Sequence, residues 1–327
     1  MYETRQRLRL SFRAYETVES DRYSMAVSDE LKYSGFINRI IESFTDTFIK
    51  HHQAQDKELI RQYLKKEPAK GRTSKKEQPI PYFRKNVIAK LKANELEIKK
   101  DLYDGDERNF IRAVIETYAR KPFDERERIY FKDIVNKIEH NLGLGRLLKV
   151  TISDGRVFFV KPYAIMTDKY SLNNYLVCYS ARQELSLKYT PASFRLSRIR
   201  DIEVADVKKN ALLTESEINH LKKAISDRSV QYLLGTTEKI VVKFTEMGKI
   251  MFHHMVFQRP QPEKSEGLVY EFSCTLKQAE AYFFKFGADA KILEPIDLKI
   301  SFQKKYQKAA CLYDDNLAPN TPEIAQN

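Results

Sequence analysis

Residues that combine aromatic rings with fixed positive charge recur between positions 161 and 198. An unpaired base stacks on a ring for about 1–3 kcal/mol, and an arginine can donate two hydrogen bonds to one phosphate. The combination predicts a site for single-stranded nucleic acid or a nucleotide. The candidate ligand-binding residues are Lys161, Tyr163, Tyr175, Tyr179, Arg195 and Arg198. In the alternative interpretation, the tyrosines belong to the core and the arginines pair with Asp168 or Asp201.

Motifs of the common enzyme classes are missing, since the sequence has no GxxxxGK[ST], GxGxxG, HExxH or GxSxG. The adjacent histidines at 51–52 and 253–254 would point about 100° apart on a helix and could not share a metal ion. Alternating acids and arginines at 125–128 predict a solvated helix face. We therefore predict a protein that is not an enzyme, with no catalytic residue, no metal and no cofactor.

Charge is the strongest signal in the composition of the 327 residues. A net charge of +12 and a pI near 9.3 indicate a polyanionic partner, because clustered Lys and Arg release counterions from phosphates. The alternative is a surface whose charge serves solubility alone. Hydrophobic residues make up 42% and aromatic residues 12%, which is enough for two or three domain cores.

The three cysteines stand singly without CxxC spacing, so we expect reduced thiols. The first residues lack the apolar run of a signal peptide, and no apolar segment approaches the roughly 20 residues that span a bilayer. The sequence therefore predicts a cytoplasmic protein that does not contact membranes.

The candidate residues lie in a region that predicts a small, curved sheet. Short runs of β-branched and aromatic residues occupy about 146–206, and Asp154-Gly155 predicts a hairpin turn. A helix follows, opened by Thr214 and Glu217 as a capping box. We assign 146–228 to this sheet and its helix.

Two of the runs, 174–180 and 194–199, resemble the WYL family, a small Sm-like or SH3-like β-barrel of bacterial regulators. The Tyr175-Leu176 pair and the Phe-Arg-Leu-Ser-Arg-Ile run match, whereas Asn174 stands at the family's tryptophan position and the chain has no Trp. The resemblance implies a nucleic-acid or nucleotide ligand on a basic patch. We expect position 174 to face the core.

An internal repeat organises residues 1–123, because 36–44 and 110–118 share four of nine residues and the same apolar spacing. The spacing predicts two amphipathic helices, the second capped by Asp106 or Asp104. Between the repeats lies a basic linker at about 53–79, and a connecting helix follows at 124–145.

Strict alternation at 7–13 predicts a strand that buries Leu8, Leu10 and Phe12. Strand, helix, turn and helix in this order resemble the ribbon-helix-helix fold, whose paired strands enter a DNA major groove. A second strand is predicted at 80–86, and the ribbon could form within one chain or between two subunits. The predicted nucleic-acid contacts of the ribbon are Arg7, Arg9, Ser11 and Arg13.

The final third predicts three strands and two helices, and a short strand before Gly267 completes a βαββαβ order, which makes 229–312 ferredoxin-like. This region resembles the extension that follows WYL domains, and residues 313–327 predict a disordered tail. The overall prediction is an α+β multidomain protein.

The domain order resembles the accessory proteins encoded beside type VI-D CRISPR RNA-guided ribonucleases. That resemblance implies a homodimer that binds single-stranded RNA and stimulates an effector ribonuclease. The alternative is a DNA-binding transcriptional regulator whose barrel senses a nucleotide or nucleic acid.

Overall fold

The computed structural model describes residues 5–25, 32–52, 61–62, 78–184, 186, 188–205, 211–233, 235 and 237–313. It is an α+β protein with two antiparallel sheets and two compact units. The first unit comprises residues 1–190 and 194–213, and the second comprises 191–193 and 214–327. The predicted linker at 53–79 and tail at 313–327 lie almost entirely outside the described residues. No helix of the described part is long and apolar enough to cross a membrane.

Helices form the first part of the chain. They are α1 (Phe12–Met25), α2 (Tyr33–His52), α3 (Lys85–Ala93), α4 (Glu95–Ile98), α5 (Glu107–Arg120), α6 (Phe123–Tyr130) and α7 (Lys132–Asn141). The two repeats form α2 and α5, and their apolar stripes are buried as predicted. Asp106 caps α5, accepting a hydrogen bond from the Arg108 amide. Pro122 follows the end of α5, because proline disfavours helical geometry in the residue before it.

The strand prediction for residues 7–13 is wrong. Residues 6–11 form no strand, Arg9 has a left-handed backbone (φ 49°), and α1 already begins at Phe12. Leu8 and Leu10 are buried as the alternation predicts, but Phe12 is 58% exposed because the helix turns it outward. Just before this segment, Arg5 forms an isolated antiparallel bridge with Tyr82.

In this segment, side chains form hydrogen bonds with backbone groups that would otherwise pair with a second strand of the ribbon. The Leu10 amide donates to Gln78 Oε1 (2.9 Å), and Gln78 Nε2 donates to the Leu10 carbonyl (2.8 Å). The segment at 80–86 is also no strand, since the Tyr82 amide donates to Ser34 Oγ and its carbonyl accepts from Asn38 Nδ2. The predicted ribbon is therefore replaced by pairing of backbone with side chains within one chain.

The predicted connecting helix is broken in two at Phe131, between α6 and α7. Phe131 is buried against Tyr130, with ring centroids 4.9 Å apart. The change of direction gives each short helix its own contact: α6 packs on the third strand, and α7 packs on the second and fifth.

The first sheet contains five strands: β1 (Leu148–Ile152), β2 (Val157–Thr167), β3 (Asn174–Ala181), β4 (Thr190–Arg195) and β5 (Ile199–Val204). Their order is β4-β3-β2-β1-β5, and the predicted turn at Asp154-Gly155 joins β1 to β2. A 3-10 turn at Leu196–Arg198 links β4 to β5. The sheet thus has strands where the sequence predicted them.

The second unit contains α8 (Glu215–Arg228), β6 (Glu238–Phe244), α9 (Glu246–His254), β7 (Pro262–Glu266), β8 (Val269–Cys274), α10 (Leu276–Phe283), β9 (Ala290–Glu294) and α11 (Ile296–Cys311). The capping box of Thr214 and Glu217 opens α8 as predicted, although α8 groups with this unit rather than with the preceding sheet.

From β6 to β9 the elements follow the predicted βαββαβ order, and the sheet order is β7-β8-β6-β9. Aromatic side chains fill its core, among them Phe244, Phe252 and Phe272. Helix α11 was not predicted from the sequence. Its buried stripe is narrow, with Leu298 and Phe302 as its buried residues, so its apolar pattern is weak.

Candidate nucleic-acid interface

Lys161 and Tyr179 are direct cross-strand neighbours on β2 and β3. The Lys161 ammonium lies 5.4 Å from the ring centroid of Tyr189, a residue outside the runs that predicted the site. Tyr179 itself is buried, so its ring cannot serve as an open stacking surface. The charged group of the Lys161–Tyr179 pair is therefore the ammonium of Lys161, which is half-exposed and lies beside the Tyr189 ring.

Tyr163 lies at a bulge in β2. The register with β3 shifts between Pro162 and Ala164, so Tyr163 has no direct cross-strand partner. A bulge re-aims the side chain of the extra residue, and Tyr163 is half-buried. The structure does not bring Tyr163 into the Lys161 pair by strand register.

Tyr175 and Arg195 lie in a buried polar network rather than on an open surface. Tyr175 is 9% exposed, and burial raises the pKa of its hydroxyl. Arg195 Nε lies 3.6 Å from Glu127 Oε1, and its Nη2 donates to the Ser24 carbonyl of α1 at 3.3 Å. These two predicted contact residues therefore have structural partners, as the alternative interpretation anticipated, although the acid is Glu127.

Glu127 is fully buried, which corrects the prediction that residues 125–128 form a solvated face. Its Oε2 accepts hydrogen bonds from the Asn174 amide (2.5 Å) and from Asn174 Nδ2 (2.9 Å). Asn174 Nδ2 also donates to the Asp124 carbonyl, and Asn174 Oδ1 accepts from Thr167 Oγ1. Asn174 is 0% exposed, so the position expected to face the core does so.

The protonation of Glu127 predicts a pH effect on stability. Burial raises the pKa of this carboxyl above its ordinary value of 4.5, against the opposing effects of Asn174 and Arg195. The folded chain thus retains the proton to higher pH than the unfolded chain, so stability falls as pH rises from the unfolded pKa through the folded one. We expect Glu127→Gln to remove this fall, measured by urea unfolding between about pH 4 and 7.

Asp201 offers a control of opposite sign. A hydrogen bond from Lys137 (2.7 Å) lowers the pKa of Asp201, so its contribution is present above its unfolded pKa and is lost as pH falls through the folded one. Asp201→Asn should remove stability at neutral pH and not at acidic pH. If the free energy of unfolding varies with pH in the same way for wild type and Glu127→Gln, the pH effect does not come from Glu127.

Arg198 is exposed at the end of the sheet. Its backbone carbonyl accepts a hydrogen bond from the Ser153 amide at 2.8 Å, which places it beside the β1–β2 turn. The six candidates lie in four places. Lys161 and Tyr179 are neighbours, Tyr163 lies at the bulge in β2, Tyr175 and Arg195 share a buried network, and Arg198 lies near the turn.

Among the N-terminal candidates, Arg7, Arg9 and Arg13 are exposed. Arg9 and Arg13 make no salt bridge within the described residues. Ser11 has a structural role as the N-cap of α1: its hydroxyl accepts from the Ala14 amide and donates to Glu116 Oε2 at 2.7 Å. Arg9 and Arg13 are thus exposed without a salt bridge in the described part of the chain, whereas Ser11 is engaged by Glu116.

Comparison with known proteins identifies a shared fold. No protein-family model matches the chain, and no curated protein matches it. One similar solved structure is described as a CRISPR Cas-related protein, with 24% identity and a TM-score of 0.71 over 94% of this chain and 93% of that chain. Another is proteasome accessory factor B/C of Arthrobacter aurescens, with 16% identity and a TM-score of 0.34 over 72% of this chain and 37% of that chain. The CRISPR Cas-related protein shares the fold of this chain over nearly its whole length. The similarity to proteasome accessory factor B/C is too low to indicate a shared fold.

Proposed function

We propose that this protein is a non-enzymatic nucleic-acid-binding regulator whose ligand is single-stranded RNA. The observation that carries the proposal is charge: a net +12, with exposed arginines such as Arg9, Arg13 and Arg198 that make no salt bridge within the described residues. Each such group that meets a phosphate releases condensed counterions, which favours binding. The resemblance to WYL proteins and the fold of the CRISPR Cas-related protein support the same role.

Binding in this proposal is mainly electrostatic. Because Tyr175 and Tyr179 are buried, base stacking on them cannot supply the main affinity. Lys161 beside Tyr189, together with the exposed arginines, would contact the phosphate backbone and tolerate many sequences. Such a protein binds RNA without recognising its base sequence.

The proposed regulatory role is stimulation of an RNA-guided CRISPR ribonuclease. An accessory that holds single-stranded RNA close to a nuclease raises the local substrate concentration without chemistry of its own. We expect the rate of RNA cleavage by such an effector to rise when this protein is added at limiting substrate. An unchanged rate despite RNA binding would reject this role and leave the RNA-binding proposal in place.

Direct binding measurements test the ligand. We expect an unstructured RNA to bind more tightly than duplex DNA at about 0.15 M salt. Its log affinity should fall linearly with log salt by about 0.7 per phosphate contacted. Fluorescence anisotropy of labelled RNA and DNA across a salt series measures both quantities, and absence of RNA binding at about 0.15 M salt would overturn the proposal.

The second candidate function is a DNA-binding transcriptional regulator. The observation that favours it is the exposure of Arg7, Arg9 and Arg13 just before and at the start of α1. Tighter binding to duplex DNA from upstream of the chain's own gene would select this alternative. The proposed homodimer belongs to either function, and light scattering of the full chain measures it.

A further inference from the structure

Four arginines surround the turn between β1 and β2, and we name them the turn arginines. They are Arg156, Arg182, Arg198 and Arg200. Only Arg198 is among the ligand-binding candidates predicted from the sequence. The other three lie in separate strands or loops and form no run that would mark them. All four are exposed.

Ring contacts place two of these side chains at the turn, and backbone pairing places the other two residues beside it. The guanidinium of Arg182 lies 4.2 Å from the ring centroid of Phe158, and that of Arg156 lies 5.9 Å from the same ring. Arg198 joins the turn through the hydrogen bond from Ser153 to its carbonyl. Arg200 is the extra residue of a bulge, because Thr151 pairs with Asp201 and Ile152 with Ile199.

The acids near the turn neutralise one of the four charges, that of Arg156. Asp154 is bound by Arg156, with Nε to Oδ2 at 2.7 Å, and Asp201 accepts from Lys137 at 2.7 Å. Arg182, Arg198 and Arg200 make no salt bridge among the residues that the structure describes. Arg182 is also near enough to Asp154 to help lower the pKa of that carboxyl, where the largest cause is the hydrogen bond from Arg156.

We propose that the turn arginines are a binding site for the phosphate backbone of single-stranded nucleic acid. The site rests on the proposed function and specifies where the ligand binds. Planar guanidinium groups can each hold a phosphate through two hydrogen bonds, and the contact with Phe158 holds Arg182 in place before the ligand arrives. Arginines spaced along a turn, a loop, a 3-10 turn and a strand suit a run of phosphates better than one isolated anion.

The test neutralises three charges at the turn. In the triple variant Arg182→Gln, Arg198→Gln, Arg200→Gln, we expect the salt slope for a labelled oligouridylate to become shallower by about 2 and the Kd at about 0.15 M salt to rise roughly 50-fold. Fluorescence anisotropy measures both. A second triple variant with lysine at the same positions keeps the charge and should retain most of the salt slope while losing part of the affinity.

A matched control removes the same charge from α11. Lys299, Lys304 and Lys308 are exposed and form no salt bridge within the described part of the chain. Replacing all three by glutamine should change the Kd only a few-fold and leave the salt slope unchanged. Circular dichroism checks that each variant is folded.

The outcomes separate the site from the function. If wild type binds RNA but both glutamine variants lose affinity equally, or neither does, the site at the turn is overturned and the proposed function stands. If wild type does not bind RNA, both are overturned. If polyglutamate competes as well as RNA at equal charge, the turn binds acidic chains in general and its assignment to nucleic acid is wrong.

Discussion

Replacing Asp21 by alanine is expected to lower the free energy of unfolding by about 3–5 kcal/mol. Asp21 is fully buried in α1, and its carboxylate accepts from Arg126 Nε (2.6 Å) and Nη2 (2.8 Å). The Tyr118 hydroxyl also donates to it at 2.9 Å. Without the carboxylate, the largely buried Arg126 guanidinium keeps its charge and loses its partner, which is why the effect is large.

A double-mutant cycle tests the pair. The variants Asp21→Ala and Arg126→Ala should each be strongly destabilised, and the double variant should be destabilised by much less than the sum because no unpaired charge remains. Urea unfolding measures all four proteins. Additive losses would show that the two side chains do not act as a pair.

The surface pair of Lys121 and Glu125 is a matched control in the same region. Its atoms are 2.8 Å apart, close to the distances in the buried pair, but the side chains are 27% and 51% exposed. Glu125→Ala should therefore cost less than about 1 kcal/mol. Comparable losses for Glu125→Ala and Asp21→Ala would reject burial as the cause of the difference.

The anchoring of α1 matters for the proposed function. Asp21 connects α1 to α5 through Tyr118 and to α6 through Arg126. Arg13 lies in the first turn of the same helix, and Arg9 lies just before it. Loosening α1 should thus weaken any nucleic-acid contact made by these arginines without removing their charge.

Replacing Asn174, which stands at the tryptophan position in the resemblance to the WYL family, by tryptophan is expected to destabilise this chain by about 3 kcal/mol or more. Asn174 is completely buried, so the larger ring has no free space, and such overpacking typically costs about 1–3 kcal/mol. Glu127 Oε2 would also lose the hydrogen bond from Asn174 Nδ2, at a further cost of about 1–3 kcal/mol. Urea unfolding measures the loss.

A single tryptophan also provides its own probe, because the natural chain has none. Thr190→Trp is the matched control, since Thr190 is exposed in β4 of the same sheet. We expect a small stability change for Thr190→Trp and water-exposed fluorescence emission. A stable Asn174→Trp protein with buried emission would mean that Asn174 and Glu127 are not needed to hold α6 on β3.

Local signals predicted much of the fold. The turn at Asp154-Gly155, the capping box at Thr214 and the cap at Asp106 each depend on residues a few positions apart, and each is present. The apolar stripes of the repeated helices were equally clear because both helices bury one continuous face. Signals of this range are contained in the sequence itself.

Partners distant in sequence account for what the sequence did not predict. Alternation at Leu8 and Leu10 correctly marked buried positions, but it could not reveal that Gln78 would occupy the Leu10 backbone. The acid at Glu127 resembled a surface residue because its partner Asn174 lies 47 positions away. These contacts depend on how helices and strands come together, which periodicity does not report.

Burial along β3 explains why two of the candidate tyrosines could not be judged from the sequence. Every residue of β3 is buried, so alternation could not separate inward-facing from outward-facing side chains, and Tyr175 and Tyr179 were taken as surface rings. Arg182 and Arg200, which we propose as ligand contacts, belong to no recognisable run in the sequence. Arg200 is placed beside the turn by the β1–β5 register and its bulge, and Arg182 by its contact with Phe158.

Strand β7 has a consequence for self-association. It forms one edge of the second sheet, all five of its residues are exposed, and it carries Glu263, Lys264 and Glu266. An open edge can recruit a strand from another molecule and start aggregation, and charged side chains oppose this. Pro262 has no amide hydrogen to donate, which weakens such a template further. If two copies assemble, we expect them to meet through a surface other than this edge.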